Sequence, residues 1–327
     1  MQMNIADIAK MAGVSRAAVS RYFNNGYISQ EKQEAVRRVV EETGYRPSIQ
    51  AQNLRTKKTK MIGVIVPKIS SSSIGRIVEG MLSEFNKSEY QMILAVTQND
   101  PSKEVEYLSA FDDKQVDGVI LVATVFTTAH KHVLKNLSVP VVIVGQYLSG
   151  NCCVYHDDYH ACYDLTKLLL EKGRINLGYM SALLQDKAAG EARYKGFCDA
   201  VCEMGYDALI NNIITADFTV ASGYKKAKEL LQKCHTLDGL VCATDAMALG
   251  AMQYFKEHHI AVPEEILVAG HGGSEITRIA IPSLIIARYF YEESGELAVR
   301  RLIALLNHEE NIIKEVKLGY EIVDLEQ

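Results

Sequence analysis

A change in the pattern of apolar residues near residue 60 constrains the fold of this chain more than any other feature. Before it, apolar side chains recur at helical spacing; after it, short continuous apolar runs alternate with longer amphipathic stretches. Such runs are typical of parallel strands covered by helices on both faces. They are too many for one sheet of ordinary size, so we predict an α/β core of two lobes with doubly wound parallel sheets and a ligand cleft between them. The strand candidates are residues 61–66, 91–96, 118–122, 139–144, 176–180, 211–215, 239–243 and 267–269.

The first 45 residues predict a separate unit of three short helices. Gly13 interrupts the first apolar stretch, Ser15 begins the second, Ser29 begins the third and Gly44 ends it. Serine is favoured just before a helix and glycine just after one. Three short helices with a tight glycine-containing turn between the first two predict an all-α helix-turn-helix headpiece.

The segment after the headpiece is predicted to be a hinge. Pro47 prevents continuation of the third helix, residues 48–55 can form one short helix that is marginal in water, and residues 56–60 form a basic linker. Residues 1–60 hold 11 Lys and Arg against 5 Asp and Glu, whereas the whole chain holds 35 against 40. A basic head on an acidic body indicates that only the head meets a polyanion.

Composition and the N-terminal residues predict a cytoplasmic protein with no membrane contact. No apolar run reaches the roughly 18 residues that a membrane span requires. The N-terminus lacks the basic start and apolar core of an export signal. The seven cysteines show neither paired nor metal-ligand spacing, which indicates reduced and mostly buried thiols.

Two blocks of sequence in the head carry a specific family resemblance. The first covers residues 5–15, Ile-Ala-Asp-Ile-Ala-Lys-Met-Ala-Gly-Val-Ser, and continues in residues 18–21. The second is Gly-Tyr-Arg-Pro at 44–47, followed by the hinge-like Ala-Gln-Asn-Leu at 51–54. In this order, ahead of the first strand, they resemble the LacI/GalR family of bacterial transcription regulators. The resemblance covers essentially the whole chain and implies a headpiece joined to a two-lobed core like the type I periplasmic binding proteins.

By this resemblance the headpiece binds double-stranded operator DNA with one helix in the major groove, where residues at its N-terminal end meet base edges. Arg16 and Arg21 can each contact guanine; the alternative is a phosphate clamp or a solvated side chain. Ala17 offers an apolar contact. Leu54 matches the family leucine that wedges into the minor groove, the alternative being an apolar residue that covers the core. The candidate DNA contacts are Ser15, Arg16, Ala17, Ser20, Arg21, Asn24, Ser29 and Leu54.

The resemblance also implies a small-molecule carbohydrate effector in the cleft between the lobes. A saccharide needs planar polar groups for its hydroxyls and an aromatic face for the C–H side of its ring. Arg193 is the strongest candidate because a guanidinium can bridge two hydroxyls, and its alternative is a salt bridge. Phe218 can instead be a core residue, and His156 a structural histidine. The candidate effector contacts are Ser71, Ser73, His156, Arg193, Phe218, Thr244, Asp245 and Tyr289.

The chain departs from the family pattern at positions that hold the ligand. Residues 270–273 read Gly-His-Gly-Gly, where many members carry Gly-Tyr-Asp-Asp and the first Asp holds sugar hydroxyls. Gly145 stands where some members have Asp, and Ala246 replaces a frequent polar residue. These losses leave open whether the effector is a sugar or a sugar phosphate, but they do not remove the cleft.

Other functions fit the residues less well. The His-Asp-Asp-Tyr-His run at 156–160 straddles a strand-to-helix crossover, and residues 270–274 lack the Gly-Lys-Ser/Thr of a P-loop, so we expect neither a metal nor a cofactor. The sequence contains no Gly-x-Ser-x-Gly block of the kind that marks a hydrolase. A head that reads DNA argues against a solute receptor of a transporter. We predict a homodimeric repressor of a carbohydrate-use operon that is not an enzyme. The alternative is a global catabolite regulator with a phosphoprotein co-effector.

The predicted domain boundaries follow these patterns. Residues 1–45 form the helix-turn-helix domain and residues 46–60 the hinge helix and linker. Residues 61–327 form the effector-binding core. In that core, lobe 1 comprises about 61–156 and 289–316, and lobe 2 about 157–288 and 317–327.

Overall fold

The structure, a computed structural model, describes residues 3–24, 26–45, 58–113, 116–273 and 283–324. The chain forms two compact units, Met1–Thr59 and Lys60–Gln327. None of the described helices is both long and apolar enough to cross a membrane. Leu54 and the predicted hinge helix lie outside the described residues.

The described residues of the first unit form a bundle of three helices, which confirms the predicted headpiece. Asn4 and Asp7 form a capping box at the start of the first helix. Gly44 ends the third helix at φ 63°, a left-handed conformation that glycine adopts without strain. Ile8 and Val19 are fully buried where the helices meet. The helices are α1 (Ile5–Met11), α2 (Arg16–Phe23) and α3 (Gln30–Thr43).

The first lobe of the second unit contains a parallel sheet of six strands in the order β2-β1-β3-β4-β5-β11. Side chains on alternate positions of the strands pack against α4 and α11 on one face and against α5 and α6 on the other. Its strands are β1 (Met61–Val66), β2 (Gln91–Val96), β3 (Gly118–Val122), β4 (Val141–Val144), β5 (Cys152–His156) and β11 (Glu315–Leu318). Its helices are α4 (Ser72–Phe85), α5 (Pro101–Asp112), α6 (Thr128–Asn136) and α11 (Tyr291–Leu306).

The second lobe has a six-stranded sheet in the order β7-β6-β8-β9-β10-β12, parallel except that β12 runs antiparallel to β10. A short π-helix over Lys187–Ala192 leads directly into α8. The strands are β6 (Leu177–Ser181), β7 (Ile213–Thr215), β8 (Gly239–Cys242), β9 (Leu267–Gly272), β10 (Ile285–Tyr289) and β12 (Tyr320–Val323). The helices are α7 (Asp158–Glu171), α8 (Arg193–Glu203), α9 (Val220–Lys233) and α10 (Asp245–Glu257), with a 3₁₀ turn at Asp207–Asn212.

The chain passes between the lobes at residues 156–158, 289–291 and 318–320. Because β10 continues through Tyr289, that residue belongs to the sheet of the second lobe, and not to the first lobe as predicted. Likewise β11 continues through Leu318, which places residues 317 and 318 in the first lobe. The first two crossings bring the carboxyl ends of β5 and β10 together, and the polar residues described next lie there.

Candidate functional site

The exposed face of α2 carries the predicted DNA contacts. Ala18 and Val19 of this helix are buried in the headpiece core, so the residues around them point outward. Arg16, Ala17 and Arg21 are exposed, and the hydroxyl of Ser15 accepts a hydrogen bond from the backbone N–H of Ala18. This face therefore presents two guanidinium groups, that of Arg16 at the positive N-terminal end of the helix and that of Arg21 in its last turn.

Three further predicted contacts flank this face. Ser20 is half-buried, and its carbonyl accepts a hydrogen bond from the side chain of Asn24. Ser29 occupies the N-cap position of α3, but its hydroxyl makes no capping hydrogen bond, contrary to its predicted capping role. Ser29 is exposed, and its backbone carbonyl alone receives the first helical hydrogen bond, from Gln33.

A buried ion pair forms the centre of the site in the second unit. Arg193, at the start of α8, donates from Nε to Asp158 Oδ1 at 2.8 Å, and its Nη2 lies 2.6 Å from the same oxygen. Its Nη1 donates to the carbonyl of Ala243, just after β8. The hydroxyl of Tyr289 also donates to Asp158 Oδ1, at 3.0 Å, and its ring lies under the guanidinium at 5.0 Å. The positive charge of Arg193 is thus matched by a carboxylate and oriented by an aromatic face.

Aromatic rings surround Tyr289, which is buried. His156, the last residue of β5, lies 5.0 Å from the Tyr289 ring and 5.3 Å from the Tyr291 ring, measured between ring centres. His271, on β9, stacks on Tyr289 at 6.2 Å with an angle of 21° between the rings. The two imidazoles and two phenols make a compact cluster with few exposed edges.

Burial controls the protonation of this cluster. It lowers the pKa of His156 to about 4 and the pKa of His271 to about 3, because a charged imidazolium loses its hydration there. Burial also raises the pKa of Tyr291 to about 12 and that of Tyr289 well above its usual range. At neutral pH the histidines are therefore uncharged and the tyrosines keep their protons.

The loop after β8 adds polar groups next to the ion pair. Thr244 caps α10 through its hydroxyl, which accepts from the backbone N–H of Met247 at 3.3 Å. Asp245 faces Gly272, where an added Cβ would lie 3.0 Å from Asp245 Oδ2. Gly272 has φ +132°, a backbone conformation that residues other than glycine rarely adopt. An aspartate at position 272 would thus be strained and would place two carboxylates in contact.

Two polar contacts join the lobes beside this site. The side-chain amide of Gln146, in the first lobe, donates to the carbonyl of Thr124 at 2.9 Å and to Asp186 Oδ1 of the second lobe at 2.7 Å. Arg76 of α4 donates to the carbonyl of Gly273 at 3.0 Å and lies over the Tyr291 ring at 5.4 Å. Burial raises the pKa of Asp186.

Comparisons with known proteins identify the same two parts of the chain, a headpiece and a core. Residues 4–48 match the family model for bacterial regulatory proteins of the lacI family, and residues 166–324 match a periplasmic binding protein-like domain. The chain is 32% identical to the sucrose operon repressor of Staphylococcus xylosus over 97% of this chain and 99% of that protein. The chain belongs to the LacI family.

Other members of the LacI family are similar over nearly their whole length. The catabolite control protein A of Priestia megaterium is 29% identical over 98% of both chains. The structure of the lac repressor bound to ONPG superposes with a TM-score of 0.87 at 20% identity, covering 99% of this chain and 98% of that one. The structure of a complex of the regulator CelR with cellobiose superposes with a TM-score of 0.75 at 23% identity, covering 98% of both chains. At these identities the structures show the common fold alone, which confirms the predicted fold class.

The structure brings some of the predicted effector residues of this LacI-family chain together and leaves others apart. His156, Arg193 and Tyr289 share one network with Asp158, and Thr244 and Asp245 border it. Among the described contacts, three candidates stand outside the network. Ser71 and Ser73 hydrogen-bond each other at 2.9 Å at the start of α4. Phe218 lies before α9 with 39% of its surface exposed, so its alternative as a core residue is wrong.

Three residues of the site were missed or underrated in the sequence. Arg193 does form the salt bridge that was its alternative, and the sequence did not identify Asp158 as the partner. In the sequence, His271 stands out only as part of a block that lacks a carboxylate. Arg76 carried no sequence signal, because nothing in its helix marks a contact with the other lobe. His271 is a polar residue in an otherwise apolar strand, and this is the one sequence feature that indicates a role for it.

Proposed function

We propose that this LacI-family chain is a DNA-binding transcription repressor of a carbohydrate-use operon, controlled by a saccharide bound between its two lobes. The observation that carries the proposal is the presence, in one chain, of a helix that exposes two arginines and a buried polar and aromatic site at the carboxyl ends of two sheets. The names of its relatives agree, since one represses a sucrose operon and another a ribose operon.

In the headpiece, α2 would enter the major groove of the operator. Arg16, Ala17, Ser20 and Arg21 would face base edges, because they lie on or beside the exposed side of the helix. Asn24 would lie at the far end of the same helix. Ser15 and Ser29 would contact phosphates from the N-termini of two helices. Leu54, outside the described residues, would wedge into the minor groove between two paired hinge segments.

In the core, the saccharide would contact residues of both lobes. His156, Arg193, Thr244, Asp245 and Tyr289 surround the network described above. Ser71 and Ser73 at the start of α4 and the exposed ring of Phe218 would contribute from the rims of the two lobes, where a sugar ring can stack. The lobes would be residues 61–156 with 290–318, and 157–289 with 319–327.

A homodimer is part of the proposal because two headpieces are needed to read a pseudo-palindromic operator. β2 is an edge strand of the first lobe, and Ile93 and Leu94 on it are each 36% exposed. An open apolar edge is a surface that a second copy would cover.

Saccharide binding would act on DNA through the angle between the lobes. The contacts of Gln146 with Asp186 and of Arg76 with Gly273 hold the lobes in one arrangement. A ligand that prefers another arrangement shifts the population of the dimer and with it the spacing of the two hinges. The protein would carry out this task in the cytoplasm and without catalysis.

The test combines two measurements on the full chain. The operator would be found by selecting duplexes from a random pool, and saccharides would be screened by thermal shift, because a ligand that binds the folded state raises the unfolding temperature. We expect at least one saccharide both to raise that temperature and to change operator affinity about tenfold or more. If only a phosphoprotein changes operator affinity, the chain is a global catabolite regulator instead.

A further inference from the structure

Among the residues that the structure describes, two buried imidazole nitrogens of the site have no hydrogen-bond partner. They are Nε2 of His156 and Nε2 of His271. The side chains are 6% and 1% exposed, so water does not satisfy these atoms from the surface. Buried polar atoms are nearly always paired, and an unpaired one in a ligand site indicates a contact that the ligand supplies.

The hydrogen bond made by the other nitrogen of each ring determines whether Nε2 is a donor or an acceptor. Nδ1 of His271 lies 2.9 Å from the carbonyl oxygen of Cys242, and a carbonyl only accepts, so Nδ1 carries the proton. The pKa of His156 is lowered mainly by burial, and a hydrogen bond with the backbone of Phe290 opposes this by favouring the protonated ring, so this ring also donates to a backbone acceptor. In a neutral ring the remaining Nε2 is then an acceptor. Burial keeps both rings neutral at pH 7, as described above.

Both acceptors lie beside one aromatic ring. His156 and His271 contact Tyr289 from different strands, β5 of the first lobe and β9 of the second. His271 also comes just before Gly272, where an aspartate would be strained and would meet Asp245. An uncharged nitrogen acceptor thus occurs next to the position from which the carboxylate acceptor is missing.

We propose that Nε2 of His156 and Nε2 of His271 accept hydrogen bonds from hydroxyls of the effector, and that the effector is an uncharged saccharide and not a sugar phosphate. This inference rests on the proposed function and specifies its ligand. It goes beyond the residue types expected from the sequence, in which His271 had no role.

The charges around the site support the exclusion of phosphate. The Arg193 guanidinium is already paired with Asp158, and Arg76 is paired with Glu292 at 3.2 Å. Asp245 and Asp186 add carboxylates beside the same network. A phosphate group at this network would bring about 1.5 to 2 further negative charges into a buried place where neither of these two described guanidinium groups is unpaired. Neutral hydroxyls meet neutral imidazole acceptors without that penalty.

The first experiment compares matched probes on the full-length chain. Glucose, trehalose and sucrose would each be titrated against their 6-phosphates by calorimetry at pH 7.5. We expect the unphosphorylated member of the best-bound pair to bind at least tenfold more tightly. Tighter binding of any 6-phosphate than of its parent would overturn the exclusion of phosphate.

The second experiment removes one acceptor. His271→Phe keeps an aromatic ring against Tyr289 and loses Nε2, and it should weaken binding of the best saccharide at least tenfold. His258→Phe is the matched control. His258 also stacks on a tyrosine, Tyr254, with its Nδ1 2.9 Å from a backbone carbonyl, but it is exposed and caps the C-terminal end of α10, the end opposite Asp245. Saccharide affinity should stay within twofold in this variant.

A measurement on the unmodified protein keeps the inference testable if His271→Phe does not fold. In a ¹⁵N spectrum of the imidazoles, Nε2 of His156 and His271 should resonate as unprotonated acceptors and shift upfield when the saccharide is added. The proposal is wrong if the saccharide binds and both resonances stay unchanged. If no member of any pair binds, the proposed saccharide effector itself is wrong, so the two failures are distinguishable.

Discussion

The guanidinium of Arg193 and the carboxylate of Asp158 stabilise each other in a place where either charge alone would be unfavourable. Both side chains are less than a tenth exposed, and a single carboxylate oxygen receives Arg193 and Tyr289 together. A buried pair of this kind contributes little net stability, but removal of one partner leaves an uncompensated charge. Arg193 therefore stabilises the structure of the site, in addition to any contact that it makes with a ligand.

We expect Arg193→Ala to lower the free energy of unfolding of the core by about 3–5 kcal/mol, because Asp158 is left buried without its cation. Arg288→Ala is the control, since Arg288 pairs with Glu321 at the surface and should lose no more than about 1 kcal/mol. Urea unfolding followed by circular dichroism measures both. A loss below about 1 kcal/mol for Arg193→Ala would show that the hydrogen bond from Tyr289 alone is sufficient to stabilise the buried carboxylate of Asp158.

Arg21 permits a test of base reading in the headpiece. On an exposed helix face its guanidinium can make a bidentate contact with guanine, so Arg21→Ala should cost about 1–3 kcal/mol on the operator and relax the preference at one base pair in each half-site. Arg37→Ala on α3 is the control, because Arg37 is exposed and pairs within its own helix with Glu41. An equal loss on every sequence, with a shallower salt dependence, would mean that Arg21 contacts only phosphate.

At the level of elements, the strands show what a sequence pattern can and cannot reveal. β1, β2 and β3 have the predicted bounds, because they are continuous apolar runs. β11 and β12 were not predicted: each has only four residues and contains charged side chains, features that short edge strands share with loops. The apolar run of β2 predicts a strand correctly but does not reveal that it lies at the edge with part of its apolar surface exposed.

The exposed edge strand leads to a prediction about assembly. Leu94→Lys places a charge on β2 and should weaken the homodimer, because a buried lysine in an apolar interface must lose its hydration. Sedimentation equilibrium should then show monomer at concentrations where the unmodified chain is dimeric, and operator binding should fall with it. Ile175→Lys is the control, since Ile175 is 50% exposed ahead of β6 in the other lobe. Unchanged sedimentation of Leu94→Lys would place the interface elsewhere.

For the whole molecule, the sequence predicted the headpiece and the two lobes, because these depend on local periodicity and on motifs. It did not predict the pairing of Arg193 with Asp158, or the contacts of Arg76 and Gln146 across the lobes. Those contacts join residues that are 35, 197 and 40 positions apart. The packing of α7 against α8 brings the first pair together, and the crossings of the chain between the lobes bring the other two together. His271 was missed for a related reason, since its neighbours come from β8 and β10.

The last prediction concerns the connection between the two units. Leu54 lies in the segment for which the sequence predicts a short helix that is marginal alone, so its apolar side chain should contribute only when DNA is bound. Leu54→Ala should therefore weaken operator binding and reduce DNA bending, while saccharide affinity of the free protein stays within twofold, because the saccharide site lies in the other unit. Leu54→Met is the control that keeps an apolar wedge of similar volume. Circular-permutation gel shifts measure the bend, and an unaltered bend with Leu54→Ala would exclude the wedge.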